Sequence, residues 1–204
     1  QYAWADGAKL PSLWSAKQDS GLQQGIPVFA KGAAFWPSSS HRYHKVKVST
    51  PTTGARDFLT AGMVTHHGYG DLGTDGIDMV WIEAQGRVTE TGPFDTYTIM
   101  SAPFTTDPAQ VTPRRLRSEE GPSFDVRHFI VGCGYAARSN GLQIRVVRLS
   151  DGQSWTLPSG GATLAWSNPL AVTCTELFAT VHVGPATRLA RVRLDSLGPG
   201  IAPD

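Results

Sequence analysis

A strand-like segment recurs four times along this chain at nearly constant spacing. The stretches "LQIRVVRLSDGQSW" (142–155) and "RLARVRLDSLGPG" (188–200) both place a run of alternating apolar and basic residues before a turn that contains glycine. Successive copies lie 45 to 53 residues apart, which is the period of four-stranded repeat units. The equivalent positions are Val46-Lys47-Val48, Ile99-Met100-Ser101, Val147-Arg148-Leu149 and Val192-Arg193-Leu194. The spacing therefore predicts four structural repeats.

The remaining segments predict an all-β protein. Alternating or dense apolar runs indicate strands, and turn sequences such as "LGTDG", "SDG" and "VGPAT" separate them. Glycine (22) and proline (14) are abundant, as expected for many short strands joined by turns. The best helical candidate, 107–120, is interrupted by Pro113 and lacks an apolar stripe. We therefore expect strands and turns, with helix nearly absent.

The four units resemble the blades of a β-propeller over residues 20–204. The resemblance is to the architecture, because the WD dipeptide and an in-register kelch Gly-Gly pair are both absent. The stretch "SDGQSW" (150–155) looks like the Asp-box of sialidase-type propellers, except that Asp151 is one residue too close to Trp155. The resemblance implies about four four-stranded blades, closed as in hemopexin-like domains or forming part of a larger ring. Residues 1–19 match no blade and suit the tail of a preceding one.

A β-sandwich whose strand spacing is coincidental is the alternative to a propeller.

Charge and cysteine content narrow the class of protein. The net charge is +1, so no basic field favours nucleic acid as a partner. No apolar run approaches the roughly 20 residues of a membrane-spanning helix. Cys133 and Cys174 form a single pair, and the sequence starts at Gln1; both features favour a secreted, periplasmic or cell-surface protein. The two cysteines lie at matching places in consecutive units, which predicts a disulfide, with buried free thiols as the alternative.

Two metal sites are suggested by the sequence. His66 and His67 are adjacent, so a regular strand would direct only one of them into a shared site. His67 aligns with Cys133, and this pair suits copper or zinc. Separately, "GDLGTDGIDM" places Asp71, Asp75 and Asp78 in a glycine-containing loop, where carboxylate and carbonyl oxygens suit Ca²⁺. The alternative is that these acids are ordinary turn residues.

Carboxylates near predicted strands raise the possibility of an enzyme. Glycosidase propellers mount acids from several blades around a central funnel, and the resemblance implies a similar role here for Asp57, Asp78, Asp125 and Glu176. The motifs G-x-S-x-G, P-loop and G-x-G-x-x-G are absent from the sequence. A hydrolase acting on glycans is therefore an alternative that rests on architecture alone.

The remaining basic and aromatic residues are predicted to have structural roles, in ion pairs and in packing between blades. Arg114, Arg115 and Arg117 precede Glu119 and Glu120, a pattern that predicts a solvated loop with local ion pairs. Trp81, Trp155 and Trp166 are expected to pack between blades.

Together these features favour an exported binding or assembly module. It would hold a glycan or protein partner through loops on one rim, and a companion chain completing the ring is one option. The alternatives are the hydrolase and a copper- or zinc-binding surface protein that uses His67.

Overall fold

The computed structural model describes residues 23–24, 27–39, 44–60, 67–89, 92–122, 128–139, 143–157 and 164–202. These residues form four antiparallel sheets, and within each sheet the strand positions follow one another in chain order. The all-β prediction is confirmed. In the part of the chain described, no helix has the length and apolar character needed to cross a membrane.

The first sheet pairs five short strands. They are β1 (Gln23–Gln24), β2 (Val28–Ala30), β3 (Ala33–Ser39), β4 (His44–Thr50) and β5 (Thr53–Thr60). Strands β1 and β2 both pair with β3, at opposite ends of it, so together they occupy one strand position.

The other three sheets are simple meanders. The second contains β6 (His67–Thr74), β7 (Asp78–Thr89), β8 (Gly92–Pro103) and β9 (Arg114–Pro122). The third contains β10 (His128–Gly132), β11 (Tyr135–Ser139), β12 (Ile144–Arg148) and β13 (Ser154–Thr156). The fourth contains β14 (Leu164–Val172), β15 (Glu176–Val183) and β16 (Ala186–Arg193).

The four repeated segments occupy equivalent strands. They fall in or at the end of β4, β8, β12 and β16, each of which follows two earlier strand positions in its own sheet. The predicted repeat is therefore confirmed at the level of strand position. The helical candidate at 107–120 instead forms one 3₁₀ turn, Pro108–Gln110, and most of β9.

Three apolar layers hold the sheets face to face. Because side chains alternate along a strand, β7 sends Met79 and Trp81 toward the first sheet and Val80 toward the third. In the third sheet, Ala136 and Val147 face the second sheet, while neighbouring residues of β11 and β12 pack against the fourth. The second and third sheets are thus buried on both faces, which explains their dense apolar runs.

The C-terminal segment returns to the third sheet. After β16, a 3₁₀ turn (Leu194–Ser196) buries Leu194 against the last apolar layer. Ile201 then forms a two-way backbone bridge with Ser154 of β13, the edge strand of the third sheet. The indole N–H of Trp155 donates to the carbonyl of Gly198 at 3.0 Å, so this aromatic ring also holds the returning segment.

Candidate functional site

Turns that join the first two strand positions of each sheet lie next to one another along one side of the molecule. We call them the turn row; it comprises residues 31–32, 75–77, 133–134 and 173–175. Lys31 and Cys133 have positive φ and are each followed by a glycine with positive φ, the backbone of a two-residue type I′ hairpin turn. The same turn geometry therefore recurs in the first and third sheets.

Two bonds of different chemistry link neighbouring members of the turn row. The carboxylate of Asp75 accepts a hydrogen bond of 2.9 Å from the backbone N–H of Gly134. Cys133, the residue before Gly134, forms a disulfide with Cys174 in the next turn, with the two Cα atoms 5.0 Å apart. The predicted disulfide is therefore present, and it joins the third and fourth sheets through equivalent turns.

The Asp75 carboxylate accepts hydrogen bonds from three backbone N–H groups. Its Oδ1 accepts from the N–H groups of Ile77 and Asp78 at 2.9 Å, which closes its own turn, and its Oδ2 binds Gly134. Burial raises the pKa of Asp75, but the three backbone hydrogen bonds outweigh burial and leave its pKa below the usual value. The pKa of the adjacent Asp78 is raised by burial and by Asp75, with Arg114 acting in the opposite direction.

The alignment of His67 with Cys133 is wrong. His67 is the first residue of β6, whereas Cys133 lies in the turn after β10; the residues of the second sheet that correspond to Cys133 are those around Asp75. Cys133 is also consumed by the disulfide, so it is no partner for His67 in a soft-metal site. Strands β6 and β10 pack together. Counted from the turn, the residue of β6 that corresponds to His128 is Tyr69, and His67 lies two residues further from the turn. The sequence alignment failed because it followed a shared Gly-Tyr pair.

The other metal predictions stay predictions. His66 lies outside the described residues, and Asp71 is placed only as a residue of β6. Asp75 and Asp78 flank one turn, as the calcium hypothesis requires, although Asp75 is already saturated by backbone donors. Among side chains that the structure describes, no three metal-binding groups lie together.

The carboxylates of the hydrolase hypothesis occupy different positions in their sheets. Asp57 lies in β5, the last strand of the first sheet, and pairs with Lys45 and Lys47. The hydrogen bond from Lys45 lowers the pKa of Asp57, burial raises it to a smaller extent, and the pKa lies below its usual value. Asp78 and Glu176 each begin the strand that follows a turn-row member, and Glu176 pairs with Arg191 at 3.4 Å. Asp125 lies outside the described residues. The hydrolase hypothesis remains a prediction.

An ion cluster between the second and third sheets corrects the expectation of a solvated loop at 114–120. Glu119 belongs to β9 and pairs with Arg138 of β11 and Arg145 of β12. Arg138 is buried, and its guanidinium carbon lies 5.8 Å from the centre of the Tyr97 ring. Burial, followed by the nearby charge of Arg145, lowers the pKa of Arg138 to about 10. Arg114 meanwhile donates to the backbone carbonyls of Leu149 and Ser150.

The fourth sheet presents an exposed face. Residues of β15 alternate, so Leu177, Ala179 and Val181 pack on the third sheet while their neighbours point the other way. On that outer face, register pairs Phe178 with Arg191 and Thr180 with Leu189, and Leu189 is 68% exposed. We call the outward residues of β15 and β16 the outer face; they are Glu176, Phe178, Thr180, His182, Thr187, Leu189, Arg191 and Arg193.

The predicted burial of three tryptophans is confirmed. Trp81 belongs to the layer between the first and second sheets, and Trp155 and Trp166 belong to the layer between the third and fourth. The guanidinium of Arg148 lies 5.5 Å from the Trp155 ring and also pairs with Asp151, the acid of the "SDGQSW" turn. The pKa of Asp151 falls to about 2, chiefly because of Arg148 and secondly because of the N–H of Gln153.

Neither a protein-family model nor a curated protein matches this sequence. Solved structures do share its fold. A mutant of Synechocystis apocarotenoid oxygenase matches with a TM-score of 0.52 at 9% identity, over 86% of this chain and 48% of that chain. A chimera described as ACO/RPE65 matches with a TM-score of 0.51 at 9% identity and the same coverage. At this identity the likeness concerns the fold alone, and the chain spans about half the length of these proteins.

Proposed function

We propose that this chain is a protein-binding assembly module that forms part of a β-propeller. Meander sheets that follow one another along the chain and pack face to face are how propeller blades are arranged. The fold likeness to proteins about twice as long supports the same interpretation. We place the module outside the reducing cytosol, because a disulfide between its turns would persist there.

The outer face of the fourth sheet is the observation that carries the proposal. Each of the other three sheet interfaces in the described chain is filled by an apolar layer, and the outer face offers Phe178 and Leu189 in the corresponding positions. Arg191 lies directly opposite Phe178 and beside the only acid of this face, Glu176. A partner sheet that carries apolar residues opposite Leu189 and acids opposite the arginines fits this surface.

The partner sheet can come from a companion chain or from a further part of a longer polypeptide. The free side of this chain's own first sheet is a poor occupant of the outer face, because Lys45 and Lys47 of β4 share one carboxylate, Asp57, on that side and would meet the arginines. We therefore propose a companion sheet of different sequence rather than head-to-tail stacking of identical copies.

The test uses a charge placed in the middle of the outer face. Leu189→Asp and the control Ile77→Asp both put an acid in place of an exposed aliphatic residue, but Ile77 lies in the turn row of the second sheet. Each variant is used as bait with extract from the native source, and bound proteins are quantified by mass spectrometry. We expect the wild type and Ile77→Asp to retain one partner that Leu189→Asp loses.

Analytical ultracentrifugation of the purified chain provides the second arm. A monomer is expected; a dimer abolished by Leu189→Asp would show that identical copies occupy the face and would overturn the choice of a companion sheet. A monomer with no partner that depends on Leu189 would contradict the proposal as a whole. Glycan binding unaffected by Leu189→Asp would support rim-loop recognition instead.

A metal-binding function is the second candidate, favoured by the positions of His67 and His128 at the starts of two adjoining strands. Imidazole suits zinc and copper, and both residues belong to strands at the packing of the second and third sheets. Metal content after dialysis against Zn²⁺ is measured for His67→Ala, His128→Ala and the control His182→Ala. We expect one ion, lost in the first two variants only, because His182 lies on the outer face and bonds Thr187. Equal metal content in all three variants would eliminate this candidate.

A further inference from the structure

The fourth sheet has one strand position fewer than the other three. In the first three sheets the third strand position, which is β4, β8 or β12, pairs with a following strand, which is β5, β9 or β13. Strand β16 holds the third position of the fourth sheet, and among the described residues it pairs with β15 alone. We call the side of β16 that points away from β15 the free edge.

Burial next to the free edge is incomplete. The residues of β12 that face the layer between the third and fourth sheets, Ile144 and Val146, are fully buried. The residues of β16 that face the same layer, Ala190 and Val192, are only partly buried. A further strand beside β16 would therefore remove apolar surface of this layer from water.

The free edge offers backbone groups for pairing. The N–H of Leu194 donates to the carbonyl of Thr175 at 2.8 Å, and backbone groups point to alternate sides along a strand. The even-numbered residues of β16 therefore bond to β15, and its odd-numbered residues direct their N–H and C=O groups to the free edge. Of these outward carbonyls, that of Arg193 accepts from the hydroxyl of Ser196. The backbone groups of Leu189 and Arg191 have no such partner in the part of the chain that the structure describes.

The free edge is regular, unlike the corresponding edges of the other sheets. Strand β16 is eight residues long and pairs with β15 without a register shift. Strands β5 and β9 join their sheets with register shifts, and the short strand β13 is bridged on its outer side by Ile201. A long, regular edge is a template for pairing with another strand.

We propose that the free edge receives one extended strand from a companion chain, in which apolar residues alternate with acids, by antiparallel addition to the sheet. Its apolar residues lie beside Ala190 and Val192, and its acids lie beside Arg191 and Arg193 on the other face. A second copy of β16 is a poor occupant, because it would gather Arg191 and Arg193 of both copies on one face, where like charges repel. This inference goes beyond the assembly proposal, because it concerns the backbone edge of β16 rather than the stacking of a sheet on the outer face.

A synthetic peptide as long as β16, in which valine and glutamate alternate, tests the free edge. It is titrated into the purified wild-type chain and followed by calorimetry, and we expect saturable binding of one peptide per chain. The glutamates lie opposite Leu189 and Arg191, so their N–H groups point at β16, whereas those of the valines point away. N-methylation of the glutamates should lower the affinity about tenfold or more. N-methylation of the valines is the matched control and should leave the affinity nearly unchanged.

Leu189→Pro tests the same edge from the side of the protein. Proline has no N–H, but the N–H of Leu189 points away from β15, so the variant keeps its pairing with β15. We expect Leu189→Pro to lower the affinity for the peptide about tenfold or more. Ile77→Asp, in the turn row of the second sheet, is the control and should bind the peptide as the wild type does.

Four results would overturn the strand addition. They are the absence of saturable binding of the unmodified peptide, equal affinities of the two N-methylated peptides, and unchanged binding by Leu189→Pro verified as folded by near-ultraviolet circular dichroism. The fourth is a dimer of the purified chain that the peptide dissociates, which would assign the edge to a second copy. Should Leu189→Pro fail to fold, the two N-methylated peptides decide. None of these results bears on the outer face, which is tested with Leu189→Asp and native extract.

Discussion

Asp75 Oδ2 lies 2.9 Å from the backbone nitrogen of Gly134, and this hydrogen bond joins the turn of the second sheet to the turn of the third. Cys133, the residue before Gly134, continues the turn row through a covalent bond, because it forms a disulfide with Cys174 in the turn of the fourth sheet. Neighbouring sheets are thus fastened at their turns as well as through the apolar layers between their faces.

Replacing Asp75 by Ala should destabilise the protein, because three backbone N–H groups lose their acceptor. We expect the free energy of unfolding to fall by about 1–3 kcal/mol, measured by urea denaturation. Asp195→Ala is the control, since Asp195 is exposed and its ion-pair partner Arg193 is exposed as well, and its denaturation midpoint should lie close to that of the wild type. Equal midpoints for all three proteins would show that the turn contributes nothing.

The same carboxylate should make stability depend on pH. The folded state holds the pKa of Asp75 below its usual value, so its contribution is complete above the unfolded value of about 3.9 and is lost as the pH falls through the folded value. Asp75→Asn should therefore be less stable than the wild type at pH 6, and the difference should shrink below pH of about 4. A difference that stays constant down to the acid transition would contradict this assignment.

Glu119→Gln should be one of the most destabilising polar substitutions in the chain. It leaves Arg138 and Arg145 facing each other without their shared carboxylate. Removing one partner of a buried ion cluster costs roughly 3–5 kcal/mol. The matched change Glu176→Gln, at an exposed pair, should cost about 0–1 kcal/mol. Chemical denaturation of the two variants in parallel decides whether burial or mere pairing determines the cost.

Opening the disulfide should destabilise the fourth sheet against the third. The bridge closes a sequence separation of 41 residues, for which the chain-entropy relation gives about 4 kcal/mol. Cys174→Ala should lower the denaturation midpoint of the oxidised protein, and dithiothreitol should lower the wild-type midpoint without affecting the variant. A wild-type midpoint insensitive to the reductant would show that the apolar layer alone sets the stability.

Gly132 and Gly54 provide a paired test of sheet spacing. A Cβ atom on Gly132 would lie 2.6 Å from the backbone carbonyl oxygen of Val172 in the fourth sheet, whereas one on Gly54 would meet nothing within 4 Å. Gly132→Ala should therefore cost roughly 1–3 kcal/mol by forcing the third and fourth sheets apart. Gly54→Ala should be neutral or slightly stabilising. Thermal denaturation of both variants makes the comparison, and a tolerated Gly132→Ala would indicate looser packing of these sheets.

The sequence predicted the repeat because strand alternation is local. The run at Val46 places apolar residues on one face and lysines on the other, whereas Arg145 shares a face with Val147, so the repeats have in common the order of strand and turn rather than one polar face. The pairing of Cys133 with Cys174 was predictable for a related reason, since each lies in the turn between the first two strands of its sheet.

The sequence alignment was wrong where it assumed that a shared Gly-Tyr dipeptide marks equivalent positions in two sheets. Gly68-Tyr69 belongs to the middle of β6, but Gly134-Tyr135 spans a turn and the start of β11. Turn geometry would have given the better alignment, because Asp75-Gly76 carries the signal of a tight turn and lies opposite Cys133-Gly134.

The ion cluster was not predictable from local sequence. Glu119 and Arg138 meet only because β9 and β11 belong to sheets stacked in one register, and neither strand specifies that stacking alone. One signal was nevertheless present: Arg138 follows two alanines in a strand that is buried on both faces. A charged residue in such a place calls for a partner across the interface.

The disulfide also determines how the molecule bears tension. A force that pulls on residues before Cys133 and after Cys174 passes through the sulfur atoms. The segment between the cysteines, which spans a sequence separation of 41, therefore carries none of that force. That hidden length corresponds to about 140 Å of extended chain. It contains β11, β12, β13 and β14, and these strands include Arg138 and Trp155. Stretching would therefore unravel the first two sheets, β10, β15 and β16, while the rest of the third sheet and β14 remained shielded from the load.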